Sequence, residues 1–182
     1  MAAYELLLPG HASFICQPDV CDAHCCRRFS VSLGQPESDR MVAATGLAPS
    51  RFLETENGQP ILLPLVQPFL LSRTDNHCTL LSPERDCTVY EGRPNACRIY
   101  PHQVVFVNHE TSRPLTPAQS VARESVRAVT LGRLPRPVPL LLRHVECPGF
   151  TGPPLESESW LELLISTLDL QLEFTGDIAS PR

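Results

Sequence analysis

"CTLLSPERDCTVYEGRPNACRIYP", residues 78–101, places three cysteines among three prolines. Pro94 favours the first position of a helical turn, and Pro101 prevents that turn from continuing. We therefore predict one short helical turn over residues 94–99, with Cys97 near its start. Backbone N–H groups at a helix start stabilise a thiolate, which is the form of cysteine that binds a metal. The stretch thus predicts a thiol site built on a short turn.

Five further cysteines lie outside this stretch. Three of them fall in "CDAHCC" at residues 21–26, Cys16 stands just upstream, and Cys147 occurs in "ECPGF". Incidental cysteines would be fewer and more scattered, so the grouping predicts that the fold brings them together around one or two sites. The candidate metal ligands are all eight: Cys16, Cys21, Cys25, Cys26, Cys78, Cys87, Cys97 and Cys147.

The redox compartment decides how such cysteines are interpreted. The N-terminal residues "MAAYELLLPGHASFIC" have no basic region before their short apolar patch, which is unlike a secretory signal. No window approaches the roughly 18 apolar residues that a membrane span needs. We therefore expect a cytoplasmic protein with no membrane partner. In reducing cytosol, clustered cysteines favour metal binding or catalysis, and four disulfides are the alternative after export.

Charge and composition narrow the classes of function. The net charge is -5, which gives no electrostatic reason to expect a nucleic-acid partner. All 15 basic residues are arginines, so a Schiff-base lysine and a P-loop lysine are both excluded. The expected partner is an unidentified protein or small molecule.

The fold class predicted is α+β: a small, mixed and irregular single domain over residues 1–182, with short strands and a cysteine-built metal site. The 19 prolines imply many chain reversals. Strands are predicted at 29–33 and 104–107, and edge strands at 61–71, where Pro64 and Pro68 remove ladder donors. A helix is predicted from Glu37 to Thr45, with Gly46 as its C-cap, and a helical turn near Pro49.

Two amphipathic helices are clearer in the sequence. The first opens at "TPAQ", with Thr116 as N-cap, Pro117 at the first helical position and Gln119 closing a capping box. The second is predicted over about 160–173, with Ser159 and Glu162 as its capping box. Apolar residues recur along it at helical spacing, and core packing is the favoured interpretation of this stripe: Trp160, Leu161, Leu164, Ile165, Leu168 and Leu172.

The pattern C-x8-C-x2-Y-E-x-R-P-x2-C-R-x-Y-P, together with "HCCRRFSVSL", "GLAPSRFLE" and the later "CPG", resembles the cysteine-cluster family called YkgJ. That family is described as a zinc- or iron-chelating domain and is related to flagellin lysine N-methylases. The resemblance implies a metal-binding core over about 16–150. The six cysteines that match best are Cys25, Cys26, Cys78, Cys87, Cys97 and Cys147, while Cys16 and Cys21 match with wider spacing.

The identity of the metal is open between an iron–sulfur cluster and Zn2+. Structural zinc sites typically use paired C-x2-C knuckles, and this chain has none. Iron–sulfur clusters can be held by cysteine thiolates at irregular spacing, so an iron–sulfur cluster is the preferred cofactor. Histidines near the cysteines are candidate zinc ligands in the alternative: His11, His24, His77 and His102.

The sequence leaves enzymatic activity undecided. The family resemblance implies one alternative, an S-adenosylmethionine-dependent protein lysine N-methylase, although the chain has no Gly-rich nucleotide loop. A second alternative is an interaction module with a structural metal. If the site is catalytic, the candidate cofactor-binding residues are Arg93, Arg98 and Tyr90. Guanidinium groups hold carboxylates in bidentate fashion, so the two arginines could bind a carboxylate of the cofactor.

Overall fold

The computed structural model describes residues 4–175. The helices are α1 (His24–Arg28), α2 (Gln35–Thr45), α3 (Asn95–Ile99), α4 (Gln119–Thr130) and α5 (Ser157–Thr175). The strands are β1 (Tyr4–Leu6), β2 (Ser32–Leu33), β3 (Thr55–Glu56), β4 (Gln59–Pro60), β5 (Phe69–Leu70), β6 (Arg73–Thr74), β7 (His77–Cys78), β8 (His102–Val107), β9 (Pro114–Leu115) and β10 (Val138–His144). The mixed α and β composition predicted from the sequence is confirmed.

The described chain divides into two compact units. The sheet unit contains residues 4–16 and 101–172, and the cavity unit contains residues 17–100 with the end of α5. The single-domain organisation expected from chain length stays a prediction. Among the described residues, no helix combines the length and apolar character that a membrane crossing needs.

The sheet unit is built on an antiparallel sheet of four strands in the order β1-β10-β8-β9. Alternate residues of β8 are buried, as the alternating pattern of a half-buried strand requires. α4 and α5 supply Ala122, Val126, Leu164 and Leu168 to the same apolar core as the sheet. The indole of Trp160 donates a hydrogen bond to the Leu7 carbonyl (2.7 Å). Trp160, Leu164, Leu168 and Leu172 therefore pack into a core, as predicted, whereas Ile165 of the predicted stripe is exposed.

The cavity unit has little regular structure. Two-stranded pairs join β2 to β5, β3 to β4 and β6 to β7, all antiparallel. Their shared core contains Met41 from α2, Phe52, Leu53 and Leu71. Three cysteines, Cys78, Cys87 and Cys97, pack against this core. Three of the candidate metal ligands thus pack directly against the apolar core of this unit.

Helix starts differ from the sequence prediction at both amphipathic helices. α4 begins at Gln119, and its N-cap is Ala118, which makes no side-chain capping bond, so the capping box from Thr116 is wrong. The preceding strand β9 keeps the chain extended up to Leu115, which delays the helix. α5 begins at Ser157, so Ser159 lies inside the helix instead of capping it.

Fewer residues form strands between positions 61 and 71 than the sequence predicts. Only Phe69–Leu70 forms a strand there, and Leu71 adds an isolated bridge to Leu53. The preceding residues make local bonds instead, such as Leu63 N–H to the Pro68 carbonyl (2.8 Å). Pro64 and Pro68 have no N–H to give to a ladder, which explains why an extended run does not pair. The strand predicted at 29–33 shortens to Ser32–Leu33.

Candidate metal centre

Five cysteines line one cavity of the cavity unit: Cys25, Cys26, Cys78, Cys87 and Cys97. They come from four places in the chain, namely α1, β7, the loop before Val89, and α3. The cavity has a volume of about 50 Å³, and its other walls are mainly apolar, with Phe29, Val31 and Leu71 among them. Two arginines, Arg73 and Arg93, also line it, whereas no acidic residue of the described part of the chain does. The site is therefore rich in soft sulfur donors and carries fixed positive charge.

Arg73 fastens the helix that carries Cys25 and Cys26. Its guanidinium donates hydrogen bonds to four backbone carbonyls, those of Cys26 (3.3 Å), Arg27 (2.7 Å), Phe29 (2.6 Å) and Asn76 (2.5 Å). The first three are at the C-terminal end of α1, where carbonyls lack helical partners and a cation is favourable. Arg73 is also paired directly across the β6–β7 hairpin with Cys78. One side chain thus links two cysteine-bearing segments.

Glu37 and Arg40 of α2 hold the segment that leads into α3. The buried carboxylate of Glu37 accepts the N–H of Gly34 (2.8 Å) with one oxygen and the N–H of Asn95 (2.7 Å) with the other. Arg40 donates to the Arg93 carbonyl (2.9 Å) and to Asn95 Oδ1 (2.8 Å). These bonds fix residues 93–95, and with them the start of the helix that carries Cys97.

Replacing Glu37 by Gln should destabilise the protein by about 2 kcal/mol, because an amide cannot accept both buried N–H groups and leaves one unsatisfied. Chemical denaturation measures this loss. Glu56→Gln is the matched control, since Glu56 is exposed at the short hairpin β3–β4. Equal stability of the two variants would show that Glu37 does not hold α3.

An aromatic cluster adds a further restraint on α1. The His24 ring stacks at 6.3 Å from the Tyr100 ring, and Phe29 contacts both rings, at 5.8 Å and 5.3 Å between centroids. His24 and Phe29 flank the Cys25–Cys26 pair, and Tyr100 directly follows α3. The cluster therefore joins the two helices that supply three of the five thiols.

The thiols differ in acidity. A hydrogen bond with Cys26 lowers the pKa of Cys25 to about 7, and the same bond raises the pKa of Cys26. Burial raises the pKa of Cys97 to about 12, and burial also raises the pKa of Cys78 and of Cys87. Most of these thiols are thus protonated at neutral pH in the absence of a cation, so a metal that binds them releases protons.

The three predicted cofactor-binding residues have different surroundings. Arg93 lines the cavity, lies 3.7 Å over the Tyr90 ring and donates from Nε to the Tyr90 carbonyl (3.0 Å). Tyr90 is half-exposed, and Arg98 is exposed in the last turn of α3; neither lines the cavity. A role for the three in binding a cofactor stays a prediction.

The remaining cysteines do not line this cavity. Cys21 belongs to the cavity unit, and its carbonyl accepts a hydrogen bond from Arg85 (3.2 Å). Cys16 and Cys147 belong to the sheet unit. There the Ile15 N–H donates a hydrogen bond to the Gly149 carbonyl (2.7 Å), so the backbone segments that contain the two cysteines are paired. Their part in metal binding stays a prediction.

None of the four candidate histidines lines the cavity. His24 packs in the aromatic cluster, His77 Nδ1 lies 3.3 Å from the Asp75 carbonyl, and His11 Nδ1 accepts the Leu8 N–H (3.5 Å). His102 is buried in the sheet unit, between Phe14 and Phe150, and burial lowers its pKa to about 4. The described donor set of the cavity is therefore sulfur alone.

Sequence reasoning missed Arg73, Glu37 and Arg40, although each positions a cysteine-bearing segment. One signal was available for Arg73. "RTDNHC" contains two residues suited to a tight hairpin turn, and Asp75 and Asn76 both adopt positive φ, at 50° and 62°. A hairpin there sets Arg73 opposite Cys78. No local pattern identifies the bonds from Glu37 and Arg40 to residues 93–95, because these partners lie more than fifty residues away.

Comparison with known proteins identifies the family. A family profile described as "Putative zinc- or iron-chelating domain" and named CxxCxxCC matches residues 15–120, which is more than half of the chain. The matched range includes the five cysteines that line the cavity. No curated protein and no solved structure matches the chain. The chain therefore belongs to the CxxCxxCC family of zinc- or iron-chelating domains.

Proposed function

We propose that the cavity unit binds an iron–sulfur cluster through its cavity cysteines. Family membership supports metal binding, and the five thiols around one cavity are the observation that carries the proposal. Thiolates are the ligands of such clusters, and apolar walls and positive charge suit a buried anionic group. When bound, a cluster would supply electron transfer or a Lewis-acidic iron. The cysteines, Arg73 and Arg93 would hold it.

The size of the cavity favours a cluster over a single zinc ion. Four thiolates about 2.3 Å from a zinc ion would close around it and leave no further space. The cavity volume of about 50 Å³ is several times the roughly 10–15 Å³ that one water-sized sphere occupies. The cavity therefore has room for a group of several atoms, which supports a cluster.

Metal analysis of anaerobically purified protein tests the proposal. We expect iron together with acid-labile sulfide, and a broad absorption band in the visible that disappears on chelation. Stoichiometric zinc in a colourless protein would contradict the cluster while preserving the family's chelating function. Protein that contains neither iron nor zinc, and that binds neither metal when titrated, would contradict metal binding by this chain.

Arg93→Ala should weaken metal binding by roughly tenfold, because the cavity loses a positive charge that offsets thiolate charge. Competition with a chelator measures the change in affinity. Arg98→Ala is the matched control, since Arg98 is on the same short segment but is exposed and away from the cavity lining. Similar losses in both variants would show that the location of the charge does not matter.

A further inference from the structure

The outer face of the α4–α5 pair carries charges of opposite sign on its two helices. α5 has four residues at spacings of four, three and four positions, which place them on one helix face: Glu158, Glu162, Ile165 and Asp169. α4 has Arg123 and Arg127 one turn apart, and both are exposed. We call the α5 residues the acidic stripe and the two arginines the basic stripe.

A groove of about 240 Å³ separates the two stripes. At one end Arg123 forms an ion pair with Asp169. The groove is also lined by Arg127 and Thr130, which come later in α4, and by Ile165, which comes earlier in α5. Residue numbers therefore increase along α4 as they decrease along α5. The two helices run antiparallel, and the stripes lie side by side.

The other charges of the stripes are poorly neutralised. Among the residues that the structure describes, Arg127 is paired only with Glu124 of its own helix, at 4.0 Å, and both side chains are 72% exposed. Glu158 and Glu162 are exposed and make no ion pair within the described chain. Because exposed pairs contribute little, one basic and two acidic groups remain available to a partner of opposite charge.

Apolar side chains are exposed beside these charges. Ile165 lines the groove and is 39% exposed, and Leu131 and Leu134, just after α4, are 53% and 69% exposed. The Leu131 N–H donates to the Arg127 carbonyl (3.2 Å), so Leu131 lies in the turn that ends α4. A cation is favourable at the C-terminal end of a helix, which explains Arg127 but not the exposed leucines. Exposed apolar residues bordered by charges are typical of a protein–protein interface.

We propose that this face binds a second copy of the chain about a twofold axis parallel to the helices, so that α4 of each copy packs against α5 of the other. A twofold interface uses the same surface on both copies, which therefore has to be complementary to itself. In this orientation the basic stripe of each copy meets the acidic stripe of the other, with Arg127 facing Glu162 of the second copy. A twofold axis across the helices would instead set basic stripe against basic stripe, which like-charge repulsion disfavours.

The dimer does not depend on the proposed metal centre, and charge reversal tests it in the whole chain. Light scattering should give the wild type a molar mass close to twice the 20.2 kDa of one chain. Arg127→Glu and Glu162→Arg, each alone, should raise the Kd of the dimer by at least about tenfold, because a twofold interface contains each repulsive contact twice. Arg113→Glu is the matched control, since it reverses an exposed charge outside both stripes and should leave the dimer intact.

Mixing the two single variants separates contacts between copies from contacts within one chain. In a dimer of Arg127→Glu with Glu162→Arg, both facing pairs again have opposite charges, so the mixture should dimerise although neither variant does alone. A wild type that is monomeric at about 0.1 mM would overturn the inference and leave this face to a different partner. Dimers that survive both single reversals, or a mixture that stays monomeric, would overturn it as well.

Discussion

Cys97→Ser should abolish metal binding and lower the melting temperature by at least about 10 °C, because metal binding that occurs only in the folded state contributes directly to stability. Cys97 packs against the core of the cavity unit and lines the cavity together with four other cysteines. The helical signal should survive in part, since α4 and α5 pack in the separate core of the sheet unit. Metal analysis and thermal melting followed by circular dichroism measure both effects.

Cys16→Ser is the control for that experiment. It makes the same chemical change at an exposed cysteine that does not line the cavity. Because the proposed centre lies in the cavity, we expect this variant to keep the metal and the wild-type melting temperature; loss of metal would instead support the ligand role predicted for Cys16 from the sequence. An unchanged melting curve for Cys97→Ser, or equal metal loss in both variants, would contradict the assignment of the centre to the cavity.

Arg73→Ala should destabilise the protein by about 3 kcal/mol, because it removes four hydrogen bonds from a charged donor to backbone carbonyls. It should also weaken metal binding by more than about tenfold, since α1 and the β6–β7 hairpin lose the side chain that links them. Denaturant titration measures the first effect, and chelator competition the second.

Two further variants separate the geometry of Arg73 from its charge. Arg73→Lys retains the charge but cannot reach four carbonyls with one ammonium group, so it should recover only a small part of the loss. Arg51→Ala removes an exposed arginine of the same unit and should change neither quantity. Full recovery in Arg73→Lys would show that charge alone matters.

Features set by a few neighbouring residues were predictable from the sequence. α2 ends at Thr45, with Gly46 in the left-handed conformation at φ 69°, as a glycine C-cap predicts. Pro94 and Pro101 bound the helical turn that carries Cys97, and α3 spans Asn95–Ile99 between them. In both places the backbone restriction is local, so no knowledge of the tertiary structure was needed.

Features that depend on distant partners were not predictable. A capping sequence such as Thr116-Pro117 is a preference that tertiary pairing can override, and pairing of β9 with β8 keeps this chain extended. The anchoring of α1 by Arg73 joins residues more than forty positions apart. The grouping of the cavity cysteines could be anticipated from their density, but the hydrogen bonds that position them could not.

Anomalous diffraction from crystals of the anaerobically purified protein, with data collected at the iron and zinc absorption edges, tests the central claim most directly. The account predicts an iron peak inside the cavity, within bonding distance of Sγ atoms of the cysteines that line it. An ordered metal elsewhere with this cavity empty, or a single zinc ion bound through histidine nitrogens, would contradict it.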